Sequence, residues 1–164
     1  MSEPTERDWL EGLRYEDKFL DKPRLLDLFC GAGGMTKGFQ NAGFHVTGVD
    51  ISPQPNYCGD VFIQVDALDL LRAQIPRWAT LGQKYDGIHA SCPCQAYTDL
   101  QKQNGRRYPD LIAPTRDLLQ RTGLPYVIEN VEGAPLIGPV RICGASVPGL
   151  RVIRHRLFET NFPV

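Results

Sequence analysis

A mainly parallel α/β sheet is predicted by three observations. Short apolar runs recur along the chain, with helically spaced segments between them. The first run feeds a glycine cluster, as a buried strand does when it passes through a turn into a helix. The runs at 45–50 and 61–66 each end in aspartate. In such a sheet the loops beyond the strands' carboxyl ends line the ligand crevice, so acidic side chains converge there.

Residues 24–29 form the first expected strand, followed by Gly31, Gly33 and Gly34 and a helix over 35–42 that Gly43 closes. Residues 45–50 read as the second strand and 61–66 as the third. A helix over 67–75 is stopped by Pro76. The fourth strand, 86–90, delivers the chain to Cys92-Pro93-Cys94. A polar stretch with Gly105 and Pro109 then leads to a helix near 111–121. Residues 126–129 form the fifth strand, entered after Pro125 and left through a Gly/Pro-rich segment from Gly133 to Gly149. Ahead of all this, Trp9, Leu10, Leu13, Phe19 and Leu20 recur at roughly helical intervals. An amphipathic helix over 5–19 is therefore expected to dock on the domain as part of an amino-terminal extension, 1–23, leaving 24–164 as a single domain.

At 164 residues the chain suits one domain that buries roughly two-thirds of its unfolded surface. The 42% hydrophobic and 23% charged residues fit an ordinary soluble protein, and no apolar run approaches the ~18 residues a membrane span needs. The amino terminus is polar and acidic, unlike a secretory signal, so a cytoplasmic protein is expected. Five cysteines, an odd number without paired C-x-x-C spacing, argue against a disulfide framework and against a zinc site; no metal is expected. A net charge of -1 leaves no overall attraction to a polyanion, but the charge is uneven. Residues 1–21 hold seven acidic and three basic side chains, whereas 141–164 hold four arginines and one glutamate. Lys102, Arg106 and Arg107 make a second basic cluster, either solvated surface or a phosphate-facing loop.

Glycines 31, 33 and 34 let the backbone turn tightly and approach a ligand, and Asp50, 17 positions after Gly33, can accept hydrogen bonds from ribose hydroxyls. A glycine turn that merely packs a helix against a strand gives the same pattern. The strings Asp27-Leu28-Phe29-Cys30-Gly31-Ala32-Gly33-Gly34, Pro93-Cys94-Gln95, Glu129-Asn130-Val131 and Arg154-His155-Arg156 are narrower. Their order resembles the cytosine-C5 DNA methyltransferase family, in a short, phage-like form. The resemblance implies a Rossmann-like S-adenosylmethionine-dependent methyltransferase fold, a mainly parallel sheet with helices on both faces, in a bacterial or phage-infected cell. It further implies methylation of cytosine in DNA, with restriction–modification or phage protection as the setting.

By that resemblance Phe29 stacks on the adenine of S-adenosylmethionine, Gly31 and Gly33 face its methionine part, Asp50 takes the ribose and Asp66 the adenine amino group. A generic strand-end aspartate accounts for Asp66 equally well. Cytosine C5 is a poor nucleophile, so a thiolate must first add at C6 to make C5 an enamine carbon. Cys94 matches the family's thiol; Cys92 stands where relatives carry a proline or a small residue, which leaves two candidate sulfurs. Glu129 matches the acid that meets N3 and the exocyclic amine, a role that asks for a carboxyl kept neutral by burial. Arg154 and Arg156 alternate, so on a strand they share one face and one of them, preferably Arg156, holds the base O2 or a phosphate. Val152 replaces the glutamine usual two residues before the first arginine. Pro93, Gln95 and Asn130 belong with the substrate, as do Lys102, Arg106 and Arg107 on a loop that closes over a flipped nucleotide.

The resemblance covers about residues 24–160 and includes neither the variable target-recognition region nor the final helix of typical members. Four readings stay open: a DNA methyltransferase of low specificity, the catalytic subunit of a split enzyme whose partner supplies target recognition, an enzyme for free or single-stranded pyrimidine nucleotides, and a non-catalytic cofactor-binding remnant.

Overall fold

A computed structural model describes residues 21–74, 76, 84–98 and 107–164. Among them, seven strands form one sheet: β1 (Arg24–Leu28), β2 (His45–Asp50), β3 (Val61–Gln64), β4 (Gly87–Ala90), β5 (Tyr126–Asn130), β6 (Val140–Cys143) and β7 (His155–Thr160). The order is β3-β2-β1-β4-β5-β7-β6. The first five are parallel, and β7 runs antiparallel to both β5 and β6, so it alone opposes the rest. Three helices join them: α1 (Gly34–Asn41), α2 (Ala67–Gln74) and α3 (Ile112–Thr122). No helix among the described residues is long and apolar enough to cross a membrane.

The central strands are buried on both faces, which is why they read as near-continuous apolar runs. Leu26, Leu28, Ile88, Ala90 and Ile128 point to one face, where α2 brings Leu68 and Leu71 and α3 brings Ile112 and Leu119. On the other face α1 covers a polar interior. The β1–β4 register sets Asp27 opposite His89, and both are at most 1% exposed. His89 Nδ1 lies 2.8 Å from Asp27 Oδ1, Thr36 Oγ1 of α1 donates to Asp27 Oδ2 at 2.5 Å, and the Phe39 ring sits 5.4 Å from the His89 ring.

The loop after β2 folds back onto this polar face. Tyr57 carries its hydroxyl to 3.3 Å from Thr36 Oγ1, with its ring against Gly48 of β2 and Gly59. A Cβ at Gly48 would run into that ring, and one at Gly59 would run into its hydroxyl. On the apolar side, Arg116 of α3 makes a two-pronged pair with buried Glu159 of β7, at 2.6 and 2.7 Å, and also donates to Pro135 O. Ile137 N donates to the same carboxylate, so segment 135–137 and β7 are pinned to α3.

Several expected boundaries move for physical reasons. β1 stops at Leu28 because Phe29 takes a left-handed φ of 58° and turns the chain. β3 stops at Gln64, since Asp66 is not a strand end: its Oδ1 accepts from the Leu68 and Asp69 amides and caps α2. β6 lies inside the segment read as Gly/Pro-rich connection. Its four residues form an exposed edge strand with no alternating pattern, held by pairing with β7. The expected helix over 5–19 lies outside the described residues, as do Lys102 and Arg106.

Candidate active site

The carboxyl ends of β2, β1, β4 and β5 stand side by side and open onto a cavity of about 330 Å³, a size that suits a small-molecule ligand. Its walls are Phe29, Asp50 and Ile51 on one side, Ser91 to Gln95 in the middle, and Glu129 to Val131 with Arg156 on the other. Residues scattered from 29 to 156 in sequence meet there.

On the first side Asp50 is fixed by two backbone donors: Gly31 N on Oδ2 at 3.0 Å and Ser52 N on Oδ1 at 2.9 Å. Each carboxylate oxygen has a further lone pair, so the group still accepts hydrogen bonds from a ligand. Phe29, in a backbone conformation that L-residues adopt at a cost of order 1 kcal/mol, is locked by the Cys30 N–H to Val49 O bond that follows it. Phe29 and exposed Ile51 line the same side of the cavity as apolar surfaces. Gly33, also left-handed at φ 95°, is explained by packing: a Cβ there would sit 2.8 Å from Cys58 Sγ.

In the middle the two sulfurs separate. Cys92 is 3% exposed, with Sγ against Thr115 Oγ1 at 3.5 Å and Leu111 O at 3.9 Å, and burial pushes its thiol up to about 11. Cys94 begins a 3-10 turn (Cys94–Tyr97) and is half-buried at the cavity. Asn130, 1% exposed, donates from Nδ2 to Cys92 O at 2.8 Å and accepts from Val131 N at 2.9 Å, so β5 holds the cysteine loop in place. Tyr97 donates to Asp110, which also accepts from Ile112 N and anchors the turn to the start of α3. Among the described residues Gln95 Oε1 and Thr98 Oγ1 are buried without a hydrogen-bond partner.

On the far side Glu129 Oε1 lies 2.6 Å from Arg156 Nε, an ion pair made between diagonal neighbours on β5 and β7. Arg156 is held further by its Nη1 donating to His155 O at 2.9 Å. Arg154 does not share this face as part of the strand. It precedes β7, is exposed, and its carbonyl accepts from Gly144 N.

The cavity thus gathers Phe29, Asp50, Pro93, Cys94, Gln95, Glu129, Asn130 and Arg156. Gly31 reaches it only through the amide that fixes Asp50, while Gly33, Asp66, Arg154 and exposed Arg107 are not among its walls. Sequence reading missed Ile51 and Ser91. Ile51 follows the strand-end acid directly, a position that could have marked it; Ser91 carries no signal outside the cysteine motif.

Strand order, one reversed strand and a ligand cavity at the carboxyl ends define a Rossmann-like methyltransferase fold. The chain belongs to the C-5 cytosine-specific DNA methylase family, whose pattern matches residues 23–134. It is 28% identical over 124 residues to the Type II methyltransferase M.XorII of Xanthomonas oryzae pv. oryzae, covering 70% of this chain and 29% of that protein. To the Type II methyltransferase M.AquIA of a Picosynechococcus species it is 29% identical over 122 residues, covering 67% and 49%. The chain therefore spans less than half the length of either relative. Among solved structures, a hypothetical protein of Thermus thermophilus superposes with a TM-score of 0.51 at 16% identity, over 94% of this chain and 80% of that one.

Proposed function

We propose that the chain is an S-adenosylmethionine-dependent methyltransferase that acts on carbon 5 of cytosine in DNA. The observation that carries this reading is one cavity in which an aromatic–acid pair, Phe29 and Asp50, faces a thiol and an ion pair, Cys94 and Glu129–Arg156. The family supports it, as do the two Type II methyltransferase relatives.

The chain's residues fit the cofactor on observed grounds. Asp50 keeps acceptor capacity for ribose hydroxyls, and Phe29 and Ile51 add apolar lining to the same cavity. Gln95 Oε1 is buried and ready to accept from a bound molecule. When bound, S-adenosylmethionine supplies an electrophilic methyl group. Cys94, as thiolate, adds to C6 of the base, which places an electron pair on C5. That pair forms the bond to the methyl group; solvent water then takes the C5 proton, the C5–H bonding pair re-forms the C5–C6 double bond, and the C6–S pair leaves with sulfur to restore the thiolate. Glu129 meets the N3 edge and the exocyclic amine, with Arg156 orienting it. A proton on the carboxyl is needed for N3, so base entry must loosen the ion pair from Arg156. Cys92, buried against α3, is a packing thiol.

The test is transfer of labelled methyl from S-adenosylmethionine to duplex DNA, single-stranded DNA and dCMP in parallel, with Cys94→Ala as control. Label in duplex DNA with wild type, and a loss of at least about 10³-fold with the variant, is the expected outcome. Label confined to dCMP or single strands moves the substrate to pyrimidine nucleotides. Label retained by Cys94→Ala sinks the covalent mechanism.

One observation favours a second reading, in which a partner polypeptide completes the enzyme. Ile137, Val140, Ile142, Val147, Leu150, Val152 and Ile153 are all more than 40% exposed and crowd the β6 edge, as at a protein interface. Cofactor binding without methyl transfer to any of the three substrates supports that reading.

A further inference from the structure

Ser91 is a cavity residue for which the reaction above has no use. It stands at the carboxyl end of β4, and its amide donates to Leu28 O at 3.2 Å, so it is fixed beside the start of the Phe29 turn. In the sheet order β4 lies between β1, which leads into Phe29, and β5, which carries Glu129. A ligand reaching from one half of the cavity to the other therefore passes over Ser91.

Behind Ser91 runs a buried chain. Its Oγ is 3.5 Å from His89 Nε2, His89 Nδ1 is 2.8 Å from Asp27 Oδ1, and Asp27 Oδ2 accepts from Thr36. The directions follow from donor chemistry. A carboxylate only accepts, so Nδ1 of His89 carries its proton toward Asp27, and in that tautomer Nε2 presents a lone pair. Ser91 donates its single hydroxyl proton to that lone pair, which leaves its oxygen lone pairs facing the cavity. Among the described residues no arginine or lysine pairs with Asp27, so its charge polarises the chain and strengthens Ser91 as an acceptor.

We propose that Ser91 is the residue that separates the charged methyl donor from the spent cofactor. This rests on the reading of the site as an S-adenosylmethionine site. The piece of that cofactor lying between its adenosine and the target base is the sulfonium centre, a cation before transfer and a neutral thioether afterwards. An acceptor with a buried carboxylate behind it attracts the first and is indifferent to the second, so the used cofactor leaves more readily than the fresh one. Ser91 makes the contact; His89 and Asp27 are positioning residues.

Calorimetric affinities for S-adenosylmethionine and S-adenosylhomocysteine, measured on the full chain, test it. Ser91→Ala should weaken the sulfonium form about tenfold and the thioether form by less than about twofold, and Ser91→Thr, which keeps a hydroxyl, should restore the wild-type ratio. Asp27→Asn should lower the ratio without altering a cavity wall; where that variant does not fold, the two Ser91 variants decide alone. Equal weakening of both ligands, or an unchanged ratio in Ser91→Ala, overturns the inference while wild-type methyl transfer still stands. A wild-type chain that binds neither ligand overturns the cofactor reading itself, and this inference with it.

Discussion

At β4 the two faces of the sheet part company residue by residue. Ile88 and Ala90, with Cys92 just beyond, face apolar packing under α2 and α3, whereas His89 and Ser91 face a run of hydrogen bonds under α1. The first face depends on shape and volume. The second depends on direction, because each donor must find its acceptor and a buried orphan costs more than a lost contact. The difference teaches where tolerance lies: the apolar face accepts substitutions that keep volume, and the polar face rejects those that keep volume but lose a donor.

Three experiments break or sharpen that contrast. The largest effect is expected from Ile128→Ala, which hollows the apolar face at a fully buried position and should cost about 2–5 kcal/mol in denaturant unfolding. A cost below about 1 kcal/mol would mean that α2 and α3 collapse into the space. Next, Thr36→Val preserves size on the polar face yet orphans Asp27 Oδ2, and should cost about 1–3 kcal/mol. On the apolar face Ile88→Leu should cost less than about 1.5 kcal/mol, and matching costs would erase the distinction between the faces.

The smallest effect concerns alkali. Burial pushes Cys92 from 9.0 up to about 11, and Cys30 up to about 12 with help from Asp27 and Asp50. Folded thiols that hold their protons more tightly than unfolded ones add stability that is whole below pH 9 and is lost as pH climbs toward 11–12. The thermal midpoint should therefore fall over that window, and Cys92→Ala should flatten the part between 9 and 11. A fall as steep as wild type's would place the alkaline loss elsewhere.

Most of the apolar architecture was legible in the sequence because β1, β2 and β4 are buried on both faces and so leave runs that composition alone reveals. The β6 edge left no such run: its four residues are exposed or half-buried and owe their conformation to a partner strand. Within the site, Phe29, Asp50, Cys94 and Glu129 stood out because each sits in a short local string at a strand end. The polar chain did not. Asp27 meets Thr36 nine residues away and His89 sixty-two away, a juxtaposition that only the β1–β4 register and the placing of α1 create. The difference in burial between Cys92 and Cys94 was likewise not legible, because it is α3 that takes the first sulfur into its packing.

Gly48 and Gly59 show how a site imposes itself on positions that never touch a ligand. Either methyl group would displace the Tyr57 ring and, through its hydroxyl, disturb Thr36 and the carboxylate it serves. In evolutionary terms these two glycines are answerable to a tyrosine rather than to a substrate. Among homologous chains glycine at 48 and 59 should come and go with the aromatic at 57, a pattern of inheritance that a catalogue of cavity walls would overlook.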